Sequence, residues 1–411
     1  MLAEMRITYI YQYFATLDRP GSHRCYQTAK RLAARGHDVH VVTSDRHGQE
    51  GGGWKVEQID GFTVHRISNP YSNQMSYPRR LWSFFRFAWA SSIRAASIPT
   101  DLVFASSTPL TIAIPAVIAC RCRRVPMVFE VRDLWPDTPI AIGALRNPLL
   151  VWAARQLERF AYRNAARVVA LSPGMKDGVV RTGYPENRVH VVPNSADVDL
   201  FRVPASARLE WRRKNPSVNN RPMVLYTGTI GRINGVEWLA RLAALTRQLN
   251  PEICFIVVGE GVEEAKVRRV AAELGVLDRN FFMRPSVPKS EMPALLSASM
   301  LTTSVVVNKP ALWHNSANKF FDAFAAARPI AINHRGWQAD LIEQHEAGLV
   351  FPFDDLPRSA EMLVSFVSDP ARIAAACKAS GDLADREFSR DLLVNRLMDV
   401  LEDVVKKGNA H

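Results

Sequence analysis

The 411-residue sequence has no long apolar run and few cysteines. Residues 111–120 form its longest nearly uninterrupted apolar stretch, which has ten residues and contains Pro115, whereas a membrane-spanning helix needs ~20. The first residues include Glu4 and Arg6 and lack the long apolar segment of a secretory signal. We therefore expect no transmembrane helix, no secretory signal and a cytoplasmic location.

The five cysteines are an odd number and lie far apart, which does not suit a disulfide framework in a chain of this length. Cys120 and Cys122 have the spacing of half a metal site, but no second Cys or His cluster completes it. Asp197 and Asp199 form an Asp-x-Asp pair, which also has no accompanying carboxylate cluster. We expect ordinary thiols and no bound metal.

Carboxylates are scarce in the first half of the chain. Residues 1–200 hold 25 Lys/Arg against 16 Asp/Glu, and residues 61–129 hold eight arginines against the single carboxylate of Asp101. Such an asymmetry favours an anionic partner. Charge alone leaves three kinds of partner open: a membrane surface, a nucleic acid or a phosphorylated substrate.

Short β-branched runs alternate with helix-length segments along the chain, which is typical of mostly parallel sheets covered by helices. The polar, proline-containing stretch 194–221 separates two such series. We predict an α/β fold with one domain over residues 1–200, a second over 201–385, and a C-terminal helix within 386–411 that docks toward the first domain. Because open α/β sheets bind ligands beyond the carboxyl ends of their strands, each strand-to-loop junction is a candidate site.

Two of these junctions combine glycine with a cation. Gly21, Ser22 and Arg24 follow the first strand, where a flexible loop would let a ligand approach a helix N-terminus, although an ordinary turn has the same composition. Residues 226–235 contain three glycines and Arg232 between a strand and a helix. Backbone N–H groups, a guanidinium and a helix dipole together suit a diphosphate. This is not the dinucleotide-binding fingerprint, so a Rossmann dehydrogenase is disfavoured.

A third junction, residues 313–322, predicts a helix capped by Asn315 or Ser316. Asp322, one turn into the helix, either complements the helix dipole or accepts hydrogen bonds from vicinal hydroxyls such as those of a ribose. The cap leaves three first-turn amides free to hold an anion, those of Ala317, Asn318 and Lys319.

Glu130, Arg132 and Asp133 lie at the end of a strand that the pattern predicts to be buried. Buried charges need mutual pairing or a polar ligand, because an unpaired buried charge is costly. The sequence leaves both open, a structural Glu–Arg pair and a binding site.

Together these segments resemble the retaining nucleotide-sugar glycosyltransferases of family 4, which have the GT-B fold of two Rossmann-like domains facing across a cleft. The resemblance covers nearly the whole chain and includes the Pro193-Asn194 hinge, the Gly228 loop and the Gly259-Glu-Gly261 turn. Residues 130–136 with 315–322 resemble the subgroup that transfers N-acetylated hexosamines in surface-polysaccharide pathways. The resemblance implies a UDP-sugar donor as substrate, no cofactor or metal, and a hydroxyl acceptor, of which a lipid-linked saccharide is one kind.

The resemblance also implies the roles of individual residues. The catalytic residues would be Arg132, Asp133 and His314. The donor would contact Gly228, Arg232, Gly259, Arg284, Ser316, Ala317, Asn318, Lys319 and Asp322. The acceptor-side loop would include Gly21, Ser22, Arg24 and Glu130.

Three positions depart from the family pattern. His314 replaces the first of two glutamates spaced eight apart, so an imidazole stands where a carboxylate would face the donor sugar. Thr229 and Asn234 replace the Arg and Lys that flank the diphosphate, which leaves Arg232 and Lys319 as the available cations without deciding between them. Arg132 replaces the acceptor-side histidine.

Residues 79–94 have the pattern of a helix that lies on an anionic membrane. An apolar face covers about half the circumference, whereas Phe87 lies among the arginines of the other side. A helix packed on its own domain explains that face equally well. The predicted apolar face comprises Leu81, Trp82, Phe84, Phe85, Ala88, Trp89 and Ile93. The predicted basic face comprises Arg79, Arg80, Arg86 and Arg94.

Two other functions compete with transfer of a sugar. A nucleic-acid-binding α/β protein predicts basic residues interleaved with exposed aromatics on a strand surface or recognition helix, whereas the arginines here lie beside apolar helix faces and loops. A sugar-nucleotide epimerase shares the two-domain architecture. It would release an epimerised sugar nucleotide without any acceptor.

Overall fold

The computed structural model describes residues 4–17, 22–48, 52–72, 75–218 and 220–408. The chain divides into two compact units, one running to Pro193 and resuming at Asp391, the other spanning Asn194–Arg390. The division lies before the predicted boundary at residue 200, because Asn194 already bonds to the second unit: its backbone N–H donates to Ser316 Oγ at 3.0 Å. Among the described residues no helix is long and apolar enough to cross a membrane.

The described residues of the first unit form one eight-stranded sheet in the order β3-β4-β2-β1-β5-β6-β7-β8. All neighbouring strands are parallel except β3 and β4, which form an antiparallel hairpin. The elements are β1 (Arg6–Ile10), α1 (Arg24–Ala34), β2 (Asp38–Asp45), β3 (Trp54–Ile59), β4 (Phe62–Ser68), α2 (Tyr77–Ser97), β5 (Leu102–Ser106), α3 (Ala113–Arg123), β6 (Met127–Val131), α4 (Asp137–Ala141), α5 (Pro148–Asn164), β7 (Arg167–Ala170), α6 (Pro173–Arg181) and β8 (Val189–Val191).

The described residues of the second unit form a six-stranded, wholly parallel sheet in the order β11-β10-β9-β12-β13-β14. The elements are α7 (Val198–Phe201), α8 (Ala205–Arg213), β9 (Met223–Thr227), α9 (Glu237–Leu249), β10 (Cys254–Val258), α10 (Glu264–Glu273), β11 (Phe281–Arg284), α11 (Met292–Ala298), β12 (Leu301–Ser304), α12 (Asn318–Ala325), β13 (Ile330–Ile332), α13 (Trp337–His345), β14 (Gly348–Val350), α14 (Leu356–Val367) and α15 (Pro370–Leu383).

The last helix, α16 (Arg390–Gly408), packs against the first unit. Its apolar face is buried, and polar pairs along it reach two elements of that unit. Arg31 of α1 pairs with Asp391 at 2.6 Å, and Arg167 of β7 pairs with Asp403 at 2.9 Å. The chain therefore returns to the unit in which it began.

Each sheet has a point at which the strand order reverses. In the first unit β1 lies between β2 and β5, and in the second β9 lies between β10 and β12. Loops on either side of such a point leave the sheet in opposite directions and open a crevice at the carboxyl ends of the strands. The candidate residues of both units follow strands next to these points.

Helix α2 packs on its own domain, by a face that only partly coincides with the predicted apolar one. Phe84, Phe87 and Ala88 are buried, whereas Trp82 and Trp89 are 71% and 73% exposed. Phe87, which the periodicity places among the arginines, is buried because its side of the helix is turned toward α3 and the sheet.

Candidate active site

Two glycine loops of the second unit lie directly against each other, after β9 and β10. The Gly228 N–H donates to Val258 O at 2.9 Å, and the Ile230 N–H donates to Glu260 O at 2.8 Å. A Cβ at Gly259 would lie 1.9 Å from Gly228 O, which no side chain can tolerate. Gly259 is therefore required for the close approach that fixes the Gly228 loop, and its contact with the donor stays a prediction.

The Gly228 loop is closed by side chains at both ends. Tyr226 donates its hydroxyl to Thr229 O at 2.7 Å, and Asn234 Oδ1 accepts the Gly231 N–H at 3.3 Å. Asn234, which replaces a cation of the family pattern, thus shapes the loop. Arg232 is exposed, and its nearest carboxylate, Glu263, is 3.9 Å away.

Lys319 lies beneath this loop. Its Nζ is 3.9 Å from the centre of the Tyr226 ring, and a Cβ at Gly228 would approach Nζ to 3.1 Å. Burial lowers the pKa of the Lys319 ammonium to about 7, and no carboxylate of the described residues pairs with it. Of the two cations left open by the sequence, Lys319 is the one held against the glycine loop.

Helix α12 starts later than predicted, with Ala317 as its N-cap rather than Asn315 or Ser316. Ser316 is engaged elsewhere, since its hydroxyl accepts the Asn194 N–H. Asn315 Oδ1 accepts the Ala317 N–H at 3.2 Å, so this amide is not free to hold an anion. The amides of Asn318 and Lys319 keep their first-turn position without a partner among the described residues.

His314 lies in the loop before α12, whose backbone is fixed from the next β–α junction. Trp337 Nε1 donates to Asn315 O at 3.0 Å. Gly336 has a φ of 97°, and a Cβ there would lie 2.9 Å from Trp313 O. The residues flanking His314 are therefore held in place by contacts with α13.

Asp322 forms an ion pair that the sequence did not reveal. Lys289 Nζ donates to Asp322 Oδ2 at 2.6 Å, and Asp322 is only 6% exposed. Lys289 also lies 4.7 Å from the centre of the Phe201 ring. The lysine is 33 residues from Asp322, so no local spacing could have indicated the pair.

Arg284, predicted to contact the donor, binds its own unit. Its Nη1 donates to Asn215 Oδ1 at 2.7 Å and its Nη2 to Ser217 Oγ at 3.1 Å. These bonds attach the end of β11 to the segment before β9. A contact between Arg284 and a nucleotide stays a prediction.

In the first unit, Glu130 is fully buried and pairs with Arg24. Arg24 Nη2 is 2.8 Å from Glu130 Oε1, and Ser106 donates to Glu130 Oε2 at 2.5 Å. Burial alone would raise the pKa of the Glu130 carboxyl, but Arg24 and Arg132 together lower it below its usual value. Arg24 also donates to the carbonyls of Val192 and Pro193. The predicted structural Glu–Arg pair exists, with Arg24 rather than Arg132 as the partner. The place of Arg24 and Glu130 on the acceptor side stays a prediction.

Arg132 and Asp133, at the end of β6, keep polar side-chain groups available to a ligand. Arg132 Nη2 donates to Ser22 Oγ at 2.6 Å, and its guanidinium lies 4.8 Å from the centre of the Tyr11 ring. Arg132 Nη1 is buried without a hydrogen-bond partner in the described part of the chain. Asp133 is exposed and accepts a hydrogen bond from Thr108 at 3.3 Å. Gly21, the remaining member of the predicted acceptor-side loop, lies outside the described residues.

No group of three or more His, Cys, Asp or Glu side chains that could hold a metal occurs within residues 4–17, 22–48, 52–72, 75–218 and 220–408. Asp197, of the Asp-x-Asp pair, forms an ion pair with Arg390 at 3.0 Å. That aspartate has a structural role at the start of the second unit.

Two family profiles match the chain, one in each unit. The profile described as "Glycosyl transferase 4-like domain" matches residues 21–195, and the profile described as "Glycosyl transferases group 1" matches residues 221–369. Both profiles thus cover the candidate residues described above.

Curated proteins and solved structures are similar over most of the chain. The alpha-D-kanosaminyltransferase of Streptomyces kanamyceticus is 23% identical over 288 residues, which are 68% of this chain and 71% of that protein. The GDP-mannose-dependent alpha-mannosyltransferase of Mycobacterium tuberculosis is 23% identical over 92% of both chains. The crystal structure of Anabaena HepE in complex with UDP-glucose matches with a TM-score of 0.73 at 17% identity, covering 97% of this chain and 100% of that one. The two matched domains and the shared GT-B fold identify the chain as a glycosyltransferase of the GT-B type, which uses nucleotide sugars.

Proposed function

We propose that the enzyme transfers an N-acetylhexosamine from a UDP-sugar to a hydroxyl acceptor with retention of configuration. The observation that carries this proposal is the Lys319 ammonium, which is held against the Gly228 loop and has no carboxylate partner among the described residues. A buried amine with a lowered pKa is stabilised when an anion binds beside it. The diphosphate of the donor is such an anion, and the amides of Asn318 and Lys319 lie in the same helix turn.

The nucleoside end of the donor is proposed to bind one turn further along α12, where Asp322 accepts hydrogen bonds from the ribose hydroxyls. Lys289 occupies Asp322 Oδ2 and thereby orients the carboxylate. Oδ1 is then the atom that meets the ribose. The spacing between Asn318 and Asp322 is about one helix turn, so a diphosphate and its ribose can lie along one face of α12.

The proposed reaction breaks the bond between the anomeric carbon and the diphosphate oxygen while the acceptor oxygen attacks from the same face, and the acceptor hydroxyl gives its proton to the departing diphosphate. No protein nucleophile is needed. The enzyme stabilises the charge that develops on the leaving UDP and aligns the acceptor. We assign the first task to Lys319 with the α12 amides. His314 is proposed to face the donor sugar, and Arg132 and Asp133 to contact the acceptor.

Two comparisons support a nucleotide-sugar donor without deciding its base. The structure of HepE was solved with UDP-glucose, whereas the mycobacterial relative is named for GDP-mannose. The UDP and N-acetylhexosamine parts of the proposal rest on residues 130–136 and 315–322 of the sequence. Calorimetric titration with UDP-, GDP- and dTDP-sugars tests them directly, and tighter binding of GDP- or dTDP-sugars contradicts the UDP proposal.

Turnover separates transfer from epimerisation. Release of UDP that depends on an added hydroxyl acceptor is the expected result. Conversion of the sugar nucleotide to its epimer without acceptor, detected by chromatography, would instead identify an epimerase.

The ribose assignment is tested with two variants that break the same ion pair. Asp322→Asn removes the proposed ribose contact, whereas Lys289→Gln breaks the pair and retains the carboxylate. Both should lower the melting temperature, but only Asp322→Asn should weaken UDP binding strongly, by about 1.5–3 kcal/mol for each charge-assisted hydrogen bond lost. Unchanged UDP affinity in a folded Asp322→Asn enzyme would refute the assignment.

The acceptor assignment is tested at Asp133, which is exposed and accepts a hydrogen bond from Thr108. Asp133→Asn should lower turnover more than UDP affinity, since the nucleotide is proposed to bind the other unit. Equal losses of both, together with a lower melting temperature, would give Asp133 a structural role instead.

A further inference from the structure

Helix α2 exposes an apolar stripe on the side away from its buried face. The exposed fractions of its large apolar residues range from 44% to 73%. Single exposed apolar residues are ordinary on protein surfaces, but a contiguous group that includes two tryptophans marks an interaction surface. The stripe comprises Leu81, Trp82, Phe85, Trp89 and Ile93.

A second exposed apolar group, which the sequence pattern did not predict, lies at the start of α5. Leu149, Leu150 and Trp152 are 75%, 48% and 64% exposed. They occupy the first turns of the helix, directly after its Asn147 cap. Buried apolar residues of α5 further along, such as Ala161 and Tyr162, already attach the helix to its own unit.

Helix α3 connects these two groups. Its Arg123 Nε donates to Ala96 O of α2 at 2.7 Å, and its Arg121 Nη2 donates to Asn164 Oδ1 of α5 at 3.4 Å. The three helices therefore lie side by side on one side of the sheet. We call their exposed apolar residues the docking face, meaning Leu81, Trp82, Phe85, Trp89, Ile93, Leu149, Leu150 and Trp152.

The charge around the docking face has one sign. Helices α2, α3 and α5 contain nine arginines, no lysine and a single carboxylate, Glu158, which is buried. Not all the arginines face outward: Arg94 donates to His65 Nδ1 at 3.0 Å, and Arg155 pairs with Asp137. Arg79 is exposed and Arg86 half-buried, so these two are the α2 arginines best suited to meet an external anion.

We propose that the docking face binds an anionic lipid bilayer. Tryptophan and phenylalanine beside arginines, on three helices whose single carboxylate is buried, match an interface in which aromatic rings enter the headgroup region and guanidinium groups meet lipid phosphates. Trp82 of α2 and Trp152 of α5 provide two separate insertion points on one side of the sheet, which favours an extended surface such as a bilayer as the partner.

The bound orientation follows from the topology. Helices that connect parallel strands run antiparallel to them, so the N-terminal ends of α2 and α5 lie at the carboxyl edge of the sheet. Leu149 and Trp152 lie near that end of α5, and Arg132 and Asp133 follow β6 at the same edge. Membrane binding would thus bring this edge close to the lipid surface. Use of a lipid-linked acceptor is a consequence that rests on the proposed transfer reaction, whereas membrane binding does not.

Vesicle co-sedimentation of the full chain tests the proposal, with vesicles of phosphatidylcholine alone and of phosphatidylcholine mixed with phosphatidylglycerol. At low salt the wild-type protein should sediment only with the mixed vesicles, and added salt should release it. Trp82→Ser with Trp89→Ser, and separately Leu149→Ser with Trp152→Ser, should each lose most of the bound fraction. Arg79→Gln with Arg86→Gln should weaken binding about fivefold for each arginine.

The matched control is Leu209→Ser with Leu249→Ser, which removes two exposed leucines of the second unit and should leave sedimentation unchanged. Each variant should keep the wild-type melting temperature and UDP affinity, so a loss of vesicle binding would not reflect unfolding or a damaged donor site. Absence of wild-type sedimentation at low salt, or equal sedimentation with neutral vesicles, overturns the proposal. Retained binding in the α5 variant overturns the two-helix face. A dimer in solution that the docking-face variants dissociate would show that a second copy covers it.

Discussion

One charged side chain in each unit, Glu130 in the first and Lys319 in the second, shows two opposite ways in which a fold treats such a group. In the first, Glu130 is enclosed by Arg24 and Ser106, and Arg24 is further occupied by two backbone carbonyls. In the second, the Lys319 ammonium has an aromatic ring and a glycine loop beside it but no carboxylate of the described residues. Partners supplied by the fold indicate a structural role, and a partner left missing indicates a place for a ligand.

The largest expected effect comes from breaking the satisfied pair. Glu130→Gln leaves the buried Arg24 guanidinium without its carboxylate, so the free energy of unfolding should fall by about 3–5 kcal/mol. Thermal or denaturant unfolding measures the loss. UDP affinity of the folded variant should stay the same, and a selective loss of UDP binding would give Glu130 a ligand-binding role instead.

Removing the unsatisfied charge should have the opposite effect on stability. Lys319→Met deletes a desolvated amine and should leave stability unchanged or raise it, while UDP binding weakens by about 1.5–3 kcal/mol for each charge-assisted hydrogen bond lost. Arg232→Gln is the matched control for charge, since Arg232 is exposed and should contribute less. A larger loss of UDP affinity in Arg232→Gln than in Lys319→Met would reverse the choice between these cations.

Glu158 allows the comparison to be repeated within the first unit. It is a second buried carboxyl, but its ion pair is longer than that of Glu130. Burial raises its pKa to about 7, and its contact with Arg155 is 3.4 Å long. A carboxyl with a raised folded-state pKa gives a stability contribution that is fully present below about pH 4.5 and lost as pH rises through about 7. Glu158→Gln should therefore be more stable than wild type by about 3 kcal/mol at pH 8 and equal to it near pH 4. A difference that does not change with pH would contradict this reason.

The smallest expected effect is the pH dependence of UDP binding. Since the pKa of the free Lys319 ammonium is about 7, and a bound diphosphate raises it, binding above pH 7 must take up a proton. Affinity should then fall by up to about tenfold for each pH unit above 7. Calorimetry in buffers of different ionisation enthalpy detects the proton. Lys319→Arg should abolish the part of the pH dependence of UDP affinity that comes from this residue. A pH dependence that persists unchanged in the Lys319→Arg enzyme belongs to the nucleotide.

Local sequence predicted most strands and the glycine loops, but not the strand Trp54–Ile59. Its side chains are mostly exposed or half-buried, because β3 is the edge strand of the sheet and pairs only with β4. An edge strand with one neighbour does not need the apolar alternation on which the prediction depended. The polar turn at Asp60 and Gly61, where both residues have positive φ, was the available signal for this hairpin.

Helix α2 shows the same limit of prediction from local sequence. It established a helix with apolar residues over much of its circumference, but contact with α3 and the sheet decides that Phe84 and Phe87 are buried while Trp82 and Trp89 face outward. Hydrophobicity alone cannot distinguish two apolar faces. The neighbouring helix fixes which one is removed from water.

The sequence by itself determined the two α/β units, the presence of glycines in the loops that follow β9 and β10, and the set of charged residues at the strand ends. These features depend on neighbours along the chain, on backbone conformation and on the alternation of strands with helices. Only the tertiary structure decided that Arg24 rather than Arg132 pairs with Glu130, that Lys289 pairs with Asp322, and that Lys319 rather than Arg232 lies under the loop. The partners in each of these contacts are tens of residues apart in the sequence. Coulomb attraction depends on the distance between charges in space, which is set by folding and not by sequence separation.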